Sequence, residues 1–376
     1  MKILLVTSSF YPQISPRSFR ATELSKEFSR QGHIVTVITH RDETLHAPFE
    51  AKHNIQIEDL GRLAYKKLPM EHSNKVVSLG MRFLRRAMLQ LFEFPDVELK
   101  SLVAKAVKVK RGFDMLISIA VPYPVHWGVA SALGDGKAVT KLWVADCGDP
   151  YMGDKTDSFR KFFYFKYIEK WFCKKADYLT VPTVGSVDAY YPEFRNKIKV
   201  IPQGFNFSEV SIPSYHKNSI PTFAYAGGFI PGVRDPRQVL DFLCALNKPY
   251  KFTIYTNNVD YVSAYVELSK NRIEVKPYIP RERLLIELSQ MDFLININNG
   301  TAVQTPSKLI DYALTQRPIL SINSTEENLA LLEEFFAGDY GRQLQVDNLS
   351  RYDIREVAAQ FIGLANQSDD RETERA

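Results

Sequence analysis

The residues best placed to do chemistry lie between Asn296 and Leu309. An apolar run, Phe293–Ile297, ends in Asn298-Asn299-Gly300, and after a loop Thr305-Pro306-Ser307-Lys308 opens a helix. Thr305 suits a helix N-cap and Pro306 the first helical position. The free backbone N–H groups of such a turn, with Thr305 and Ser307 in it, attract an anion, and Lys308 adds a full positive charge beside them. Asp311 follows Lys308 by three residues and shares its helix face. A cation for a phosphate and a carboxylate for a ribose diol, one turn apart, would together read a nucleotide. An ordinary capped helix with an exposed Lys308–Asp311 ion pair accounts for the spacing equally well.

A second phosphate candidate is Ala226-Gly227-Gly228-Phe229, followed by Arg234 and Arg237. Paired glycines after a strand let a ligand approach the backbone, and an arginine on the next loop can hold a diphosphate with two donors. Earlier in the chain, Asp146-Cys147-Gly148-Asp149-Pro150 follows a strongly apolar strand. Asp146 and Asp149 could orient a substrate hydroxyl or stabilise developing positive charge, while a structural turn before Pro150 is the plainer reading. His126, after Pro122-Tyr123-Pro124, reads as a packed or surface residue before it reads as a site residue.

The elements that must position these groups alternate strand and helix. Lys2–Thr7, a helix entered through Ser15-Pro16 and stopped near Gly32, and Ile34–Thr39 make a βαβ unit. Strands are expected at Met115–Ile119, Leu142–Ala145, Tyr178–Val181 and Lys199–Ile201. A second series has strands at Thr222–Ala226, Lys251–Tyr255, Arg272–Val275, Phe293–Ile297 and Pro318–Ser321. The pattern predicts an α/β protein of two Rossmann-like, doubly wound domains whose strand carboxyl ends face a common cleft. The boundaries read as 1–205 for the first domain, 206–221 for a linker and 222–350 for the second. Residues 351–376 form a closing helix, able to pack back on the first domain, and a frayed tail.

At 376 residues the chain exceeds one ordinary core, and 45% apolar with 24% charged residues is a soluble globular composition. No apolar run of about 18 residues occurs, and Ile3–Val6 is too short for a signal-peptide core, so a cytoplasmic location is expected. Three scattered cysteines argue for a reducing compartment and against a cysteine metal site. No GxGxxG or P-loop pattern occurs, which counts against a dinucleotide oxidoreductase and a P-loop NTPase.

In order, these segments resemble the family-four glycosyltransferases of the GT-B fold, especially bacterial capsule and lipopolysaccharide enzymes. The resemblance is carried by Lys2–Thr7 through Tyr11-Pro12, Gly32–Val37, Ala176–Pro182, Lys199–Gly204, Tyr225–Gly228, Pro277–Pro280 and Thr305–Tyr312. It implies a nucleoside-diphosphate-sugar donor on the second domain, with Arg234 and Lys308 at the diphosphate, Asp311 at the ribose, and Tyr278 and Ile279 along the base. The acceptor would sit mostly on the first domain. Ser15–Arg20 stands where the family has a glycine pair, so Arg20 is a candidate to take over part of that contact, with His126 nearby in the acceptor region. Val303 stands where the family's first glutamate is expected. The implied activity is retaining glycosyl transfer to a lipid-linked or polysaccharide acceptor in surface-glycan biosynthesis. No metal and no cofactor beyond the sugar nucleotide are expected. The alternatives are another GT-B enzyme, such as a nucleotide-sugar epimerase, and a catalytically silent nucleotide- or glycan-binding subunit.

Net charge is +5 overall, but Arg62–Arg111 holds 12 basic and 4 acidic side chains. Within residues 80–95, Arg82, Arg85 and Arg86 lie among Phe83, Leu84, Met88, Leu91, Phe92 and Phe94, which suits peripheral contact with the anionic inner face of a plasma membrane. Phe159–Lys175, with 6 basic and 8 aromatic residues, reads as core-packed aromatics with solvated lysines. No nucleic-acid-reading motif accompanies the charge.

Overall fold

The computed structural model describes residues 1–65, 75–134, 138–153, 160–208, 211–230, 232, 234–297, 307–322 and 326–373. They form two compact units, one of residues 1–205 with 351–376 and one of residues 206–350.

The first unit is built on seven parallel strands: β1 (Lys2–Thr7), β2 (Ile34–Thr39), β3 (Gln56–Asp59), β4 (Phe113–Ala120), β5 (Thr140–Cys147), β6 (Tyr178–Val181) and β7 (Ile198–Val200). Their order is β3-β2-β1-β4-β5-β6-β7. β1 lies inside the sheet, with Leu4 opposite Thr36 on one side and Leu116 on the other. This explains its unbroken apolar sequence, because helices cover both faces of a parallel sheet. Ile3 and Leu5 face a layer holding Leu24, Phe28, Val357 and Phe361, while Leu4 and Val6 face Val103, Trp127 and Val129. Ser15 caps the helix Pro16–Arg30 by accepting from Ser18 N–H at 3.1 Å. Gly128 lets the helices Leu99–Lys108 and Pro124–Leu133 approach closely, since a Cβ there would lie 2.8 Å from the Lys100 carbonyl.

β4 and β5 are longer than their sequence patterns predict, and β3 is an element that patterning misses. Its sequence, Gln-Ile-Glu-Asp, carries one buried apolar residue, Ile57, and pairs only with β2 at the sheet edge. The helix Ile354–Thr373 belongs to this unit. Ile354 N–H donates to the Phe205 carbonyl at 2.9 Å, and Phe361 meets Phe28 edge-on at 6.4 Å.

The second unit has five parallel strands, β8 (Thr222–Ala226), β9 (Lys251–Tyr255), β10 (Ile273–Lys276), β11 (Phe293–Ile297) and β12 (Ile319–Ile322), in the order β10-β9-β8-β11-β12. Phe223 stacks between Phe252 at 4.7 Å and Phe293 at 4.6 Å, which joins the three middle strands on one face. Part of the stretch read as a linker is fastened to this unit. The Tyr215 hydroxyl donates to Asp292, as do the Asn218 and Thr222 N–H groups at 3.2 and 2.7 Å.

Candidate functional site

The glycine loop after β8 and the helix Ser307–Leu314 meet at the carboxyl end of the second unit's sheet. Gly227 has φ of 149°, which favours glycine, and its N–H donates to the Tyr255 carbonyl at 3.0 Å. The Gly228 carbonyl accepts from the Tyr225 hydroxyl at 2.9 Å and from Arg234 Nη1 at 3.3 Å. A Cβ at Gly228 would lie 3.3 Å from Asn258 Oδ1 and 3.6 Å from the Tyr278 hydroxyl, so side chains already crowd this turn. Ile230 and Arg234 bond to each other's backbone at 3.1 and 2.8 Å, folding the arginine back over the loop. The helix is set against β8 by Tyr312, whose buried hydroxyl accepts from Ala226 N–H at 2.7 Å.

Lys308 enters this corner from the first turn of the helix. Its Nζ lies 4.5 Å from the centre of the Tyr225 ring, is buried, and has no hydrogen-bond partner among the described residues. Burial, with the neighbouring Arg234 charge second, lowers its pKa to about 7. Burial raises the Tyr225 phenol to about 12, so the ring stays neutral. Two basic side chains thus adjoin Tyr225, Lys308 at its ring and Arg234 at its hydroxyl, and the nearby carboxylate of Asp311 is held elsewhere. Asp311 does not pair with Lys308; it takes Arg281 Nε at 2.8 Å and Nη2 at 2.7 Å, both on Oδ1. Burial nonetheless raises the Asp311 pKa, with Arg281 opposing. Tyr278 is half exposed, and Ile279 packs beside Ala224, Tyr255 and Leu309. Thr305 lies outside the described residues, as does Val303, and the side chain of Ser307 is likewise not described.

The candidates of the first unit are not gathered in this way. Asp146 is 2% exposed and accepts from Arg20 Nε at 3.1 Å, Arg20 Nη2 at 2.9 Å and Thr180 Oγ1 at 2.6 Å. Despite burial its pKa is lowered, because the Arg20 charge and hydrogen bonds hold the carboxylate ionised. Arg20, expected at a phosphate or acceptor, spends its other donors on the Ile201 carbonyl at 3.2 Å and the Pro202 carbonyl, and its guanidinium lies 5.1 Å from the Phe361 ring centre. Asp149 is exposed, so the two carboxylates do not converge; its carbonyl accepts from the Tyr123 hydroxyl at 2.5 Å. His126 is fully buried, with Ser118 Oγ at 2.8 Å from Nδ1 and Cys147 Sγ at 3.6 Å from Nε2, and burial lowers its pKa to about 3. Ser118 also accepts from Trp143 Nε1 at 2.8 Å, which completes a buried chain around a neutral imidazole.

Sequence reasoning missed Arg281, which opens a helix immediately after Pro277–Pro280, and Tyr225 as the platform for Lys308. Both act across long sequence separations, so spacing alone gave no signal. Among the described residues no group of three His, Cys, Asp or Glu side chains could hold a metal. None of the described helices is long and apolar enough to cross a membrane.

No family model matches the sequence, and no curated protein matches it. Solved structures match over nearly the whole chain. A glycosyltransferase from Rickettsia africae ESF-5 gives a TM-score of 0.61 at 12% identity, covering 98% of both chains. HepE from Anabaena in complex with UDP gives 0.61 at 14% identity, covering 98% of this chain and 100% of that one. TarM gives 0.61 at 10% identity, covering 97% and 98%. The chain therefore has the two-domain GT-B fold, with one seven-stranded and one five-stranded parallel sheet.

Proposed function

We propose that the protein is a glycosyltransferase that moves a sugar from a nucleoside-diphosphate sugar to a lipid-linked or polysaccharide acceptor in surface-glycan biosynthesis. The observation that carries this reading is the buried Lys308 Nζ on the Tyr225 ring, unpartnered among the described residues, with Arg234 at the adjoining Gly228 carbonyl. A cation taken out of water without a counterion is costly, and a ligand diphosphate supplies the missing anion. The glycine loop gives that diphosphate access to the backbone. Asp311, held by Arg281 through Oδ1, keeps Oδ2 for the ribose diol, and Tyr278 with Ile279 borders the base. The fold is shared with HepE, solved with UDP-glucose, and with the galactosyltransferase WaaB.

The proposed mechanism retains configuration. The leaving diphosphate takes the acceptor proton on the same face of the sugar, while Lys308 and Arg234 stabilise the charge that develops on it. These side chains supply the positive charge without a metal. Arg82, Arg85 and Arg86 hold the helix Lys75–Phe92 at an anionic membrane on its cytoplasmic side.

Calorimetry with UDP and uridine tests the donor site. Lys308→Ala or Arg234→Ala should each weaken UDP by about 10- to 100-fold, the worth of one charge-assisted hydrogen bond, and leave uridine nearly unchanged. Native-like UDP affinity in both variants would remove the site from the reading.

A further inference from the structure

The first unit carries an open groove of about 320 Å³ that none of the donor residues touches. That volume lies within the range of small-molecule sites, roughly 300–1,000 Å³. Its walls are Phe92, Val97, Trp127, Phe165, Ile168 and Trp171, and its charged wall residue is Lys100. Lys100 Nζ lies 5.8 Å from the centre of the Trp171 ring, and Lys175 Nζ lies 5.7 Å from the same ring. Trp127 is buried, yet its Nε1 has no acceptor among the described residues. Glu169, on the same helix as Phe165 and Trp171, points no charge at them: it is fully buried, and burial keeps its carboxyl neutral at ordinary pH.

The apolar surface continues outside the groove. Phe92 also ends the helix Lys75–Phe92, on which Leu79 is 69% and Phe83 67% exposed. On the other side, exposed Phe162 contacts Phe163 at 4.9 Å and Tyr164 at 5.4 Å, and Phe162 N–H donates to the Gln90 carbonyl at 3.4 Å. An aromatic slot with a basic rim that opens onto exposed apolar side chains is complementary to an anionic amphiphile.

We propose that this groove holds the hydrocarbon chain of a phosphate-headed lipid, the chain lying against Trp127, Phe165 and Trp171 and the phosphate meeting Lys100. The assignment rests on the proposed reading only in making this lipid the anchor of the acceptor. Binding is the readout, so donor binding by calorimetry stands or falls separately.

The chain has three tryptophans, of which Trp127 and Trp171 line the groove and Trp143 lies in the core. The probe is monomeric dodecyl phosphate brominated at the chain end, which quenches tryptophan on contact. Quenching should saturate in the native protein, and Trp171→Phe should lose part of the quenchable emission. Val97→Phe, which fills the mouth at a partly exposed position, and exposed Lys100→Ala should each weaken the probe about tenfold or more. The combined change of Arg82, Arg85 and Arg86 to Gln should leave monomer quenching intact. The proposal is overturned if the monomer does not quench, if the matching brominated maltoside quenches with equal affinity, or if the arginine variant loses quenching as fully as Val97→Phe.

Discussion

The two units treat buried charge in opposite ways. In the first, Arg20 and Asp146 are both about 3% exposed and satisfy one another, with Thr180 and two backbone carbonyls taking the remaining valences. In the second, the Lys308 ammonium is buried near Arg234 with no acceptor among the described residues. A closed network of this kind fixes helix Pro16–Arg30, β5 and the segment at Ile201-Pro202 relative to each other and leaves little for a ligand. An unclosed cation stores a cost that an anion relieves on arrival. Polarity alone does not separate a scaffold from a site; what separates them is which buried groups still lack a partner.

The largest expected effect tests the closed side. Asp146→Ala strands the Arg20 guanidinium, and breaking a buried pair costs about 3–5 kcal/mol. Urea unfolding should show that loss. The comparison breaks if stability is unchanged while activity disappears, because Asp146 would then act on substrate.

Glu169 is one exception in the first unit, a fully buried carboxyl with no ion-pair or side-chain hydrogen-bond partner among the described residues. It resolves the problem by keeping a proton, its pKa raised to about 8 by burial. For a carboxyl raised in the folded state, stability is fully present below the unfolded value and is lost as pH rises through the folded one. Glu169→Gln should therefore gain roughly 2–4 kcal/mol over the native protein at pH 9 and little below pH 5. Thermal melts across that range check it; a gain of the same size at pH 5 would mean that ionisation is not the cause.

The smallest effect sharpens the open side. A lysine at about 7 is half protonated at neutral pH, and a diphosphate selects the charged form. UDP affinity should fall roughly fivefold between pH 7 and 8, in proportion to the protonated fraction, and Lys308→Arg should remove that dependence. A flat profile in the native protein would place its ammonium outside the binding event.

The fold was legible wherever one element carried its own reason. Lys2–Thr7 is apolar throughout because both faces are covered, and Ser15-Pro16 announces the helix that follows. The Lys308 site was half legible: the helix start and Arg234 were readable, but the partner of Asp311 lies 30 residues away at Arg281. Arg20 and Asp146, 126 residues apart, read as two separate candidates because nothing local to either reveals the other. The aromatics expected in the core at Phe159–Lys175 divide, Phe165 and Phe172 inside and Phe162, Phe163 and Tyr167 outside, since that stretch is only partly helical and lacks a single periodicity.

The return of helix Ile354–Thr373 to the first unit has a consequence for biosynthesis. Val357, Ala358 and Phe361 are fully buried against the layer that holds Leu24 and Phe28. Those contacts cannot exist until some 150 residues of the second unit have left the ribosome, at roughly 5–20 residues per second. For that interval the nascent first unit exposes an oily seam along helix Pro16–Arg30, and Arg20 lacks the Phe361 ring over its guanidinium. The second unit, continuous in sequence from 206 to 350, is free of that wait.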